Sequence, residues 1–278
     1  MTFRADELLS GLPSPFDARG SSFFETLRRQ APDAVPPVLS GAVLPESLRE
    51  RLVEGTTVLA VLSASGVIIA GDRRATAGNL ISRGDMRKIF PADDSSAVGI
   101  SGTAGPAMEL ARIFATELEH YEKVEGEPLS LEGKSNKLAG LVRAHLPLAM
   151  QGLVVVPLFA GVEPKTGDGS IYEYDPVGGR YRATTYAATG SGSLAARATL
   201  KRLVDPRADL AAAAGVAVEA LFDAAEEDSA TGGPDLIRHI YPIVAEIDAA
   251  GYRELSDDQV ATYVEATVQR RRDRYPSA

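Results

Sequence analysis

From position 56 onward, apolar and polar residues alternate between two periodicities. Residues 57–63 and 67–72 are β-branched, apolar runs joined by the turn Ala64-Ser65-Gly66, a hairpin signal. Shorter runs at 86–90 and 97–101 predict two further strands. Residues 103–124 then switch to helical spacing, with Met108, Ala111, Phe114, Ala115 and Leu118 on one face and Pro106 near the first turn, where a missing N–H is harmless. A second helix is predicted over 130–151, striped by Leu131, Leu138, Leu141, Val142 and Leu146 and kinked at Pro147. Strand patterns return at 154–162, 170–174 and 181–187. Helices follow at 193–204 and 208–226, the latter faced by Leu210, Ala214, Val218, Leu221, Phe222 and Ala225. A strand over 240–247 and a helix over 257–272 close the chain. Helices that come in blocks, rather than one after each strand, disfavour a doubly wound parallel sheet. They predict an α+β fold with two antiparallel sheets flanked by helix pairs.

Residues 1–55 read differently. Proline recurs at Pro13, Pro15, Pro32, Pro36, Pro37 and Pro45, with two short helical patterns at 22–30 and 45–52. Ser22 is placed to cap the first, whose apolar face is Phe23, Phe24 and Leu27. Such a segment cannot build a core of its own. The expected division is therefore 1–55, a removable leader, and 56–278, the functional domain.

The alcohol at the boundary explains why a leader matters. Thr56 follows Gly55, and an internal threonine hydroxyl is a weak nucleophile. Scission of the Gly55–Thr56 bond frees an α-amine that can act as its base. Other chemistries lack their residues. With no cysteine, disulfides, thiolate metal sites and a cysteine nucleophile are excluded. His120, His145 and His239 have no metal-ligand spacing, so neither metal nor cofactor is expected. Gly190-Ser191-Gly192-Ser193-Leu194 lacks the residues around a nucleophile elbow and reads also as a helix-capping loop, with Ser193 as the cap. A net charge of −9 disfavours a nucleic-acid partner. No apolar run approaches the ~18 residues that span a bilayer, and the first residues lack a secretory core, so a cytoplasmic location is expected. The basic run 270–274 reads as a solvated helix C-terminus.

Gly55-Thr56-Thr57, Gly71-Asp72-Arg73-Arg74-Ala75-Thr76, Lys88, Ser101-Gly102-Thr103-Ala104, Gly190-Ser191-Gly192-Ser193 and Asp228-Ser229-Ala230-Thr231-Gly232-Gly233 occur in an order that resembles catalytic β-subunits of the bacterial, actinobacterial proteasome core. The resemblance runs from Thr56 to about Asp248. It implies a four-layer αββα sandwich and an N-terminal threonine endopeptidase, processed by itself at Gly55–Thr56. Thr56 would supply nucleophile and base, with Asp72 and Lys88 beside it. The Gly102 N–H would face the oxyanion. Ser191, Asp228 and Thr231 would position the amine and a water, Thr231 standing where many relatives carry serine. Ala75, Thr76, Met86, Phe90, Ile100, Ala104 and Met108 would surround the first specificity pocket, whose apolar lining implies cleavage after apolar residues. The resemblance further implies stacked seven-membered β-rings capped by α-subunits, and a ring-shaped ATPase delivering unfolded, tagged protein substrates. Two alternatives are a β-subunit that never matures and only builds the ring, and the α-free double-ring threonine protease. The first usually loses the threonine or the lysine, both present here. The second lacks the long leader and carries other residues where Arg73-Arg74 stand.

Overall fold

The computed structural model describes residues 53–77 and 80–274. The helical patterns at 22–30 and 45–52 lie outside the described residues. No helix among these residues is long and apolar enough to cross a membrane.

Two five-stranded antiparallel sheets face each other. The first contains β2 (Thr57–Ser63), β3 (Gly66–Gly71), β11 (Tyr186–Gly190), β12 (Ile243–Asp248) and β13 (Gly251–Glu254), in the order β11-β2-β3-β12-β13. The second contains β6 (Ile89–Asp93), β7 (Ser96–Gly102), β8 (Val155–Val162), β9 (Gly169–Tyr174) and β10 (Arg180–Ala183), in the order β10-β9-β8-β7-β6. A small third sheet joins β1 (Val53–Glu54), β4 (Ala75–Ala77) and β5 (Leu80–Arg83), with β4 central. The helices fall in two groups. α1 (Ala104–Glu125), α2 (Leu131–Ala144) and α3 (Leu146–Ala149) belong to one side; α4 (Ser193–Leu203), α5 (Leu210–Glu227) and α6 (Asp257–Arg274) belong to the other.

Strand alternation sorts the core into three layers. Val58 and Ala60 of β2, Val67 and Ile69 of β3, Leu158 and Ala160 of β8, and Ala245 and Ile247 of β12 meet between the two sheets. Leu59, Val61 and Ile68 point the other way, against α4, α5 and α6. Phe159 and Tyr172 point from the second sheet toward α1 and α2, with Phe159 edge-on to Phe114 at 5.6 Å between centroids. The result is an αββα sandwich.

Four expectations need correction. The predicted helix over 130–151 is two, because α2 ends at His145 and α3 starts afresh with Pro147 in its first turn. The single strand expected at 181–187 is the end of β10 and the start of β11, which belong to different sheets. Gly192, not Ser193, takes the N-cap of α4, without any side-chain bond. Finally, the basic tail is not merely solvated. Arg271 donates to Asp223 and Glu226 of α5, both at 2.6 Å, and its guanidinium lies over the Phe222 ring.

Candidate active site

Antiparallel register brings three motifs to one end of the first sheet. Thr57 of β2 lies opposite Gly190 of β11, and Val58 lies opposite Gly71 of β3. Thr56, Ser191 and Asp72, each one residue beyond a strand end, therefore converge. Gly190 has φ +99°, and a Cβ there would fall 1.9 Å from the Thr56 carbonyl oxygen, so only glycine lets β11 run this close. The facing sheet contributes Lys88 immediately before β6. The Lys88 carbonyl accepts the Ile100 N–H of β7 at 2.9 Å.

Asp72 and Lys88 form a buried pair, each 1% exposed, with Lys88 Nζ 2.6 Å from Asp72 Oδ1. The carboxylate is fully engaged. Oδ1 also accepts the Thr57 N–H at 2.8 Å, while Oδ2 accepts the N–H groups of Arg74 at 2.9 Å and Gly232 at 2.8 Å. Four donors match the four lone-pair sites of a carboxylate. Burial pulls the Lys88 ammonium below the ordinary lysine range, against the upward pull of Asp72.

The peptide group between Gly55 and Thr56 sits directly at this pair. Thr56 is 5% exposed. Its hydroxyl donates to the Gly55 carbonyl oxygen at 2.6 Å, and Lys88 Nζ donates to the same oxygen at 3.2 Å. Gly55 adopts φ +106°, and a Cβ there would collide with Thr76 Oγ1 and the Ala230 methyl. A bulkier residue would strain the backbone and push the carbonyl out of place.

A second polar cluster lies alongside. Ser191 Oγ and Thr231 Oγ1 both donate to Asp228 Oδ2, at 2.5 and 2.6 Å. The Thr56 N–H reaches Ser191 Oγ at 3.4 Å. Burial works to raise the Asp228 pKa, but the Ser191 and Thr231 hydroxyls, the Ala230 N–H and the attraction of Lys88 outweigh it. The group is held below the usual carboxylate range and stays ionised at neutral pH.

Of the sequence-derived site residues, Thr56, Asp72, Lys88, Ser191, Asp228 and Thr231 are thus brought together. Gly102 ends β7, opposite Val155 of β8, with φ +93°. Ala75 and Thr76 lie on β4, whose Thr76 pairs with Glu54 just ahead of Gly55. Phe90 and Ile100 pack into the core under α1, Met86 is half-buried, and Ala104 and Met108 occupy the first turns of α1.

Thr57 and Arg74 stand within motifs quoted from the sequence but were given no role in the site there. Thr57 Oγ1 lies 2.6 Å from Thr231 Oγ1, both residues fully buried. Because Thr231 donates to Asp228, Thr57 is the donor of this pair. Arg74 Nη1 donates to the carbonyls of Ser229 at 3.1 Å and Thr231 at 3.3 Å, stapling that loop to Asp72. A polar residue at the start of an apolar strand was the available signal for Thr57. The motif around Arg74 does not disclose its partners, since its acceptors lie more than 150 residues away. The hydroxyl relay gives a test. Thr231→Val is expected to cost about 1–3 kcal/mol in denaturant unfolding, because it strands the buried Thr57 hydroxyl. Thr231→Ser keeps both bonds and should cost under about 1 kcal/mol.

The sequence pattern of the family described as "Proteasome subunit" matches residues 52–240. A "Proteasome subunit beta" of Acidothermus cellulolyticus is 50% identical over 265 residues, covering 92% of this chain and 90% of the relative. Proteins of the same name from Acidimicrobium ferrooxidans and Frankia casuarinae are each also 50% identical, covering 92% of this chain and 94% and 93% of theirs. The chain belongs to the proteasome β-subunit family. It is of the bacterial, actinobacterial type, and membership carries protease family identity with it. The match to the family pattern begins four residues before Thr56 and spans the strands and loops that hold the polar groups of this site, from Thr56 to Gly232.

Proposed function

We propose that this chain is the catalytic β-subunit of a bacterial proteasome core, a threonine endopeptidase that creates its own nucleophile. The observation that carries this reading is the Gly55 carbonyl oxygen, held between the Thr56 hydroxyl and the Lys88 ammonium. Lys88 polarises the carbonyl and balances charge that builds on its oxygen during attack. Thr56 Oγ1 adds to the Gly55 carbonyl carbon. As the C–N bond breaks, the hydroxyl proton passes to the departing nitrogen, leaving an ester and a free α-amine. Water then splits the ester, releasing a leader that ends in the Gly55 carboxylate.

After scission the Thr56 amine sits beside Ser191 and within the field of Lys88. Such an amine titrates ordinarily at about 7.7–8.0, and a nearby cation disfavours its protonation. It therefore serves as general base near neutral pH. Asp228, kept ionised, holds the Ser191 proton, so Ser191 offers the amine an acceptor and fixes its direction. Gly102 is the proposed oxyanion donor in peptide hydrolysis. Ala75, Met86, Ile100 and their neighbours form the proposed apolar specificity pocket. The proposed setting is cytoplasmic, in stacked rings of β-subunits with α-subunits and an ATPase that feeds in unfolded substrates.

The test is the mass of the chain recovered from assembled particles, read beside its action on a fluorogenic peptide series. The chain is expected to begin at Thr56, with preferred cleavage after apolar residues. Retention of residues 1–55 in particles that hydrolyse peptides would overturn the mechanism. Preference for acidic or basic residues would overturn the pocket.

A further inference from the structure

The two halves of the reaction centre proposed above sit on different sheets. Thr56 leads into β2 of the first sheet, and Gly102 ends β7 of the second. The layer between them is apolar, with Val58, Ala60 and Ala187 of one sheet meeting Ala97, Leu158 and Ala160 of the other. Apolar contact is non-directional, so it holds the sheets together without gauging one finely against the other. Hydrogen bonds do gauge, because they demand both distance and angle. Lys88 and Asp72 make one such crossing beside Thr56.

Another crossing lies next to Gly102. Strand alternation turns Ser101 of β7 to the same face as Ala97, and Thr189 of β11 to the same face as Ala187. Two hydroxyls therefore stand where the pattern calls for apolar groups. Ser101 is buried, and its Oγ donates to the Val156 carbonyl of neighbouring β8 at 2.8 Å. The same Oγ lies 3.0 Å from Thr189 Oγ1. A serine hydroxyl has one proton to give and Val156 takes it, so Thr189 is the donor across the gap. Ser101 is already satisfied within its own sheet. The bond from Thr189 is thus a tie between sheets, not the rescue of a stranded hydroxyl.

Both ends of the tie adjoin the chemistry. Ser101 immediately precedes Gly102, where a Cβ would fall 2.2 Å from the Val154 carbonyl oxygen. Thr189 immediately precedes Gly190, which lies against the Thr56 carbonyl, and then Ser191, which the Thr56 N–H reaches.

We propose that Ser101 and Thr189 are positioning residues, whose hydrogen bond sets the distance from the Thr56 hydroxyl to the Gly102 N–H and so the fit of the oxyanion. The proposal rests on Thr56 as nucleophile and Gly102 as oxyanion donor. Scission at Gly55 does not draw on the pair, since the Gly55 oxygen is met by the Thr56 hydroxyl and Lys88.

Thr189→Val keeps the side chain's shape and removes the hydroxyl; Thr189→Ser keeps the hydroxyl. Processed particles of each are compared with the parent on one fluorogenic peptide and on a peptide aldehyde of the same sequence. The Thr56 O–H adds across the aldehyde C=O to give a hemiacetal, whose oxygen stands where the oxyanion forms. Removing an oxyanion donor outright costs about 10²–10³-fold in kcat, and displacing one costs part of that. Thr189→Val is expected to lower kcat by about 10-fold with KM within about twofold of the parent, and to weaken the aldehyde by a similar factor. Ser101→Ala should do the same. The double variant should lose no more than either single one, because both remove the same bond. Thr189→Ser should return close to the parent. An unchanged kcat, a change in KM alone, or single effects that multiply in the double variant each overturn the proposal. Thr189→Val chains that keep their leader also overturn it, because the pair would then serve folding or scission. Parent particles that hydrolyse no peptide, or Thr56→Ala particles that match an active parent, remove the catalytic reading and this proposal together. An active parent beside an unimpaired Thr189→Val removes the proposal alone.

Discussion

Thr56→Ala is expected to leave the chain uncut at Gly55 and to lower peptide hydrolysis by at least about 10⁴-fold, the scale seen when a nucleophile is removed from a hydrolase. The side chain's one hydrogen bond with a described partner at short range is the 2.6 Å donation to the Gly55 carbonyl, so the stability cost should be only about 1 kcal/mol. The substitution leaves Asp72 with all four of its donors and Asp228 with both of its hydroxyls. Loss of activity therefore reports on the alcohol, not on collapse of the site. Thr56→Ser returns an alcohol and should restore processing and a measurable part of the turnover. Intact mass and kcat/KM on one peptide check both variants. Normal processing of Thr56→Ala would remove the nucleophile assignment altogether.

How far the sequence discloses this arrangement depends on which faces of each element are covered. The central strands of both sheets are covered on both sides, so β2, β3 and β8 appear as unbroken apolar runs and are easy to place. Their alternation still matters, because it assigns Leu59 to the helices and Val58 to the layer between the sheets, but a run alone does not say which. The small sheet was not predicted. β4 has three residues, β5 has none buried, and both owe their form to pairing rather than to composition. The break between β10 and β11 was missed for a similar reason. Two strands separated by Thr184 and Thr185 carry no local mark that they enter different sheets. At the site, motif residues such as Thr56, Asp72, Lys88 and Asp228 were legible one by one. What brings them together is strand register, with Thr57 facing Gly190 and Val58 facing Gly71, and register is not written in any single motif. Arg74 and the Gly232 N–H act across the same junction, and only the fold places them there.

Asp72→Asn should prove far from conservative. The aspartate accepts on both oxygens, from Lys88 and Thr57 on one side and from Arg74 and Gly232 on the other. An amide accepts on its oxygen only, so its NH₂ must face one of those donor pairs, and the Lys88 ammonium loses its counter-charge inside the protein. Breaking a buried pair in this way costs about 3–5 kcal/mol. The pH dependence carries a sharper signature. Burial already holds the folded-state Lys88 pKa below its unfolded value of 10.5, with Asp72 pulling upward. Between those two values the unfolded chain binds more protons than the folded one, so stability rises with pH through this window. The gain is complete above the unfolded pKa and is lost as pH falls through the folded one. Without Asp72 the upward pull disappears, the folded pKa drops further and the window extends to lower pH. The stability of Asp72→Asn should thus begin to climb at a lower pH than that of the parent chain, and the deficit between them should narrow as pH rises. Denaturant unfolding at a series of pH values from neutral to alkaline measures this directly. A deficit that stays constant across the series would mean that Lys88 is not the group left unbalanced. In the same variant processing and turnover should fall together, by about 10²–10⁴-fold, because in the proposed mechanism one cation polarises the Gly55 carbonyl before scission and lowers the amine's affinity for protons afterwards.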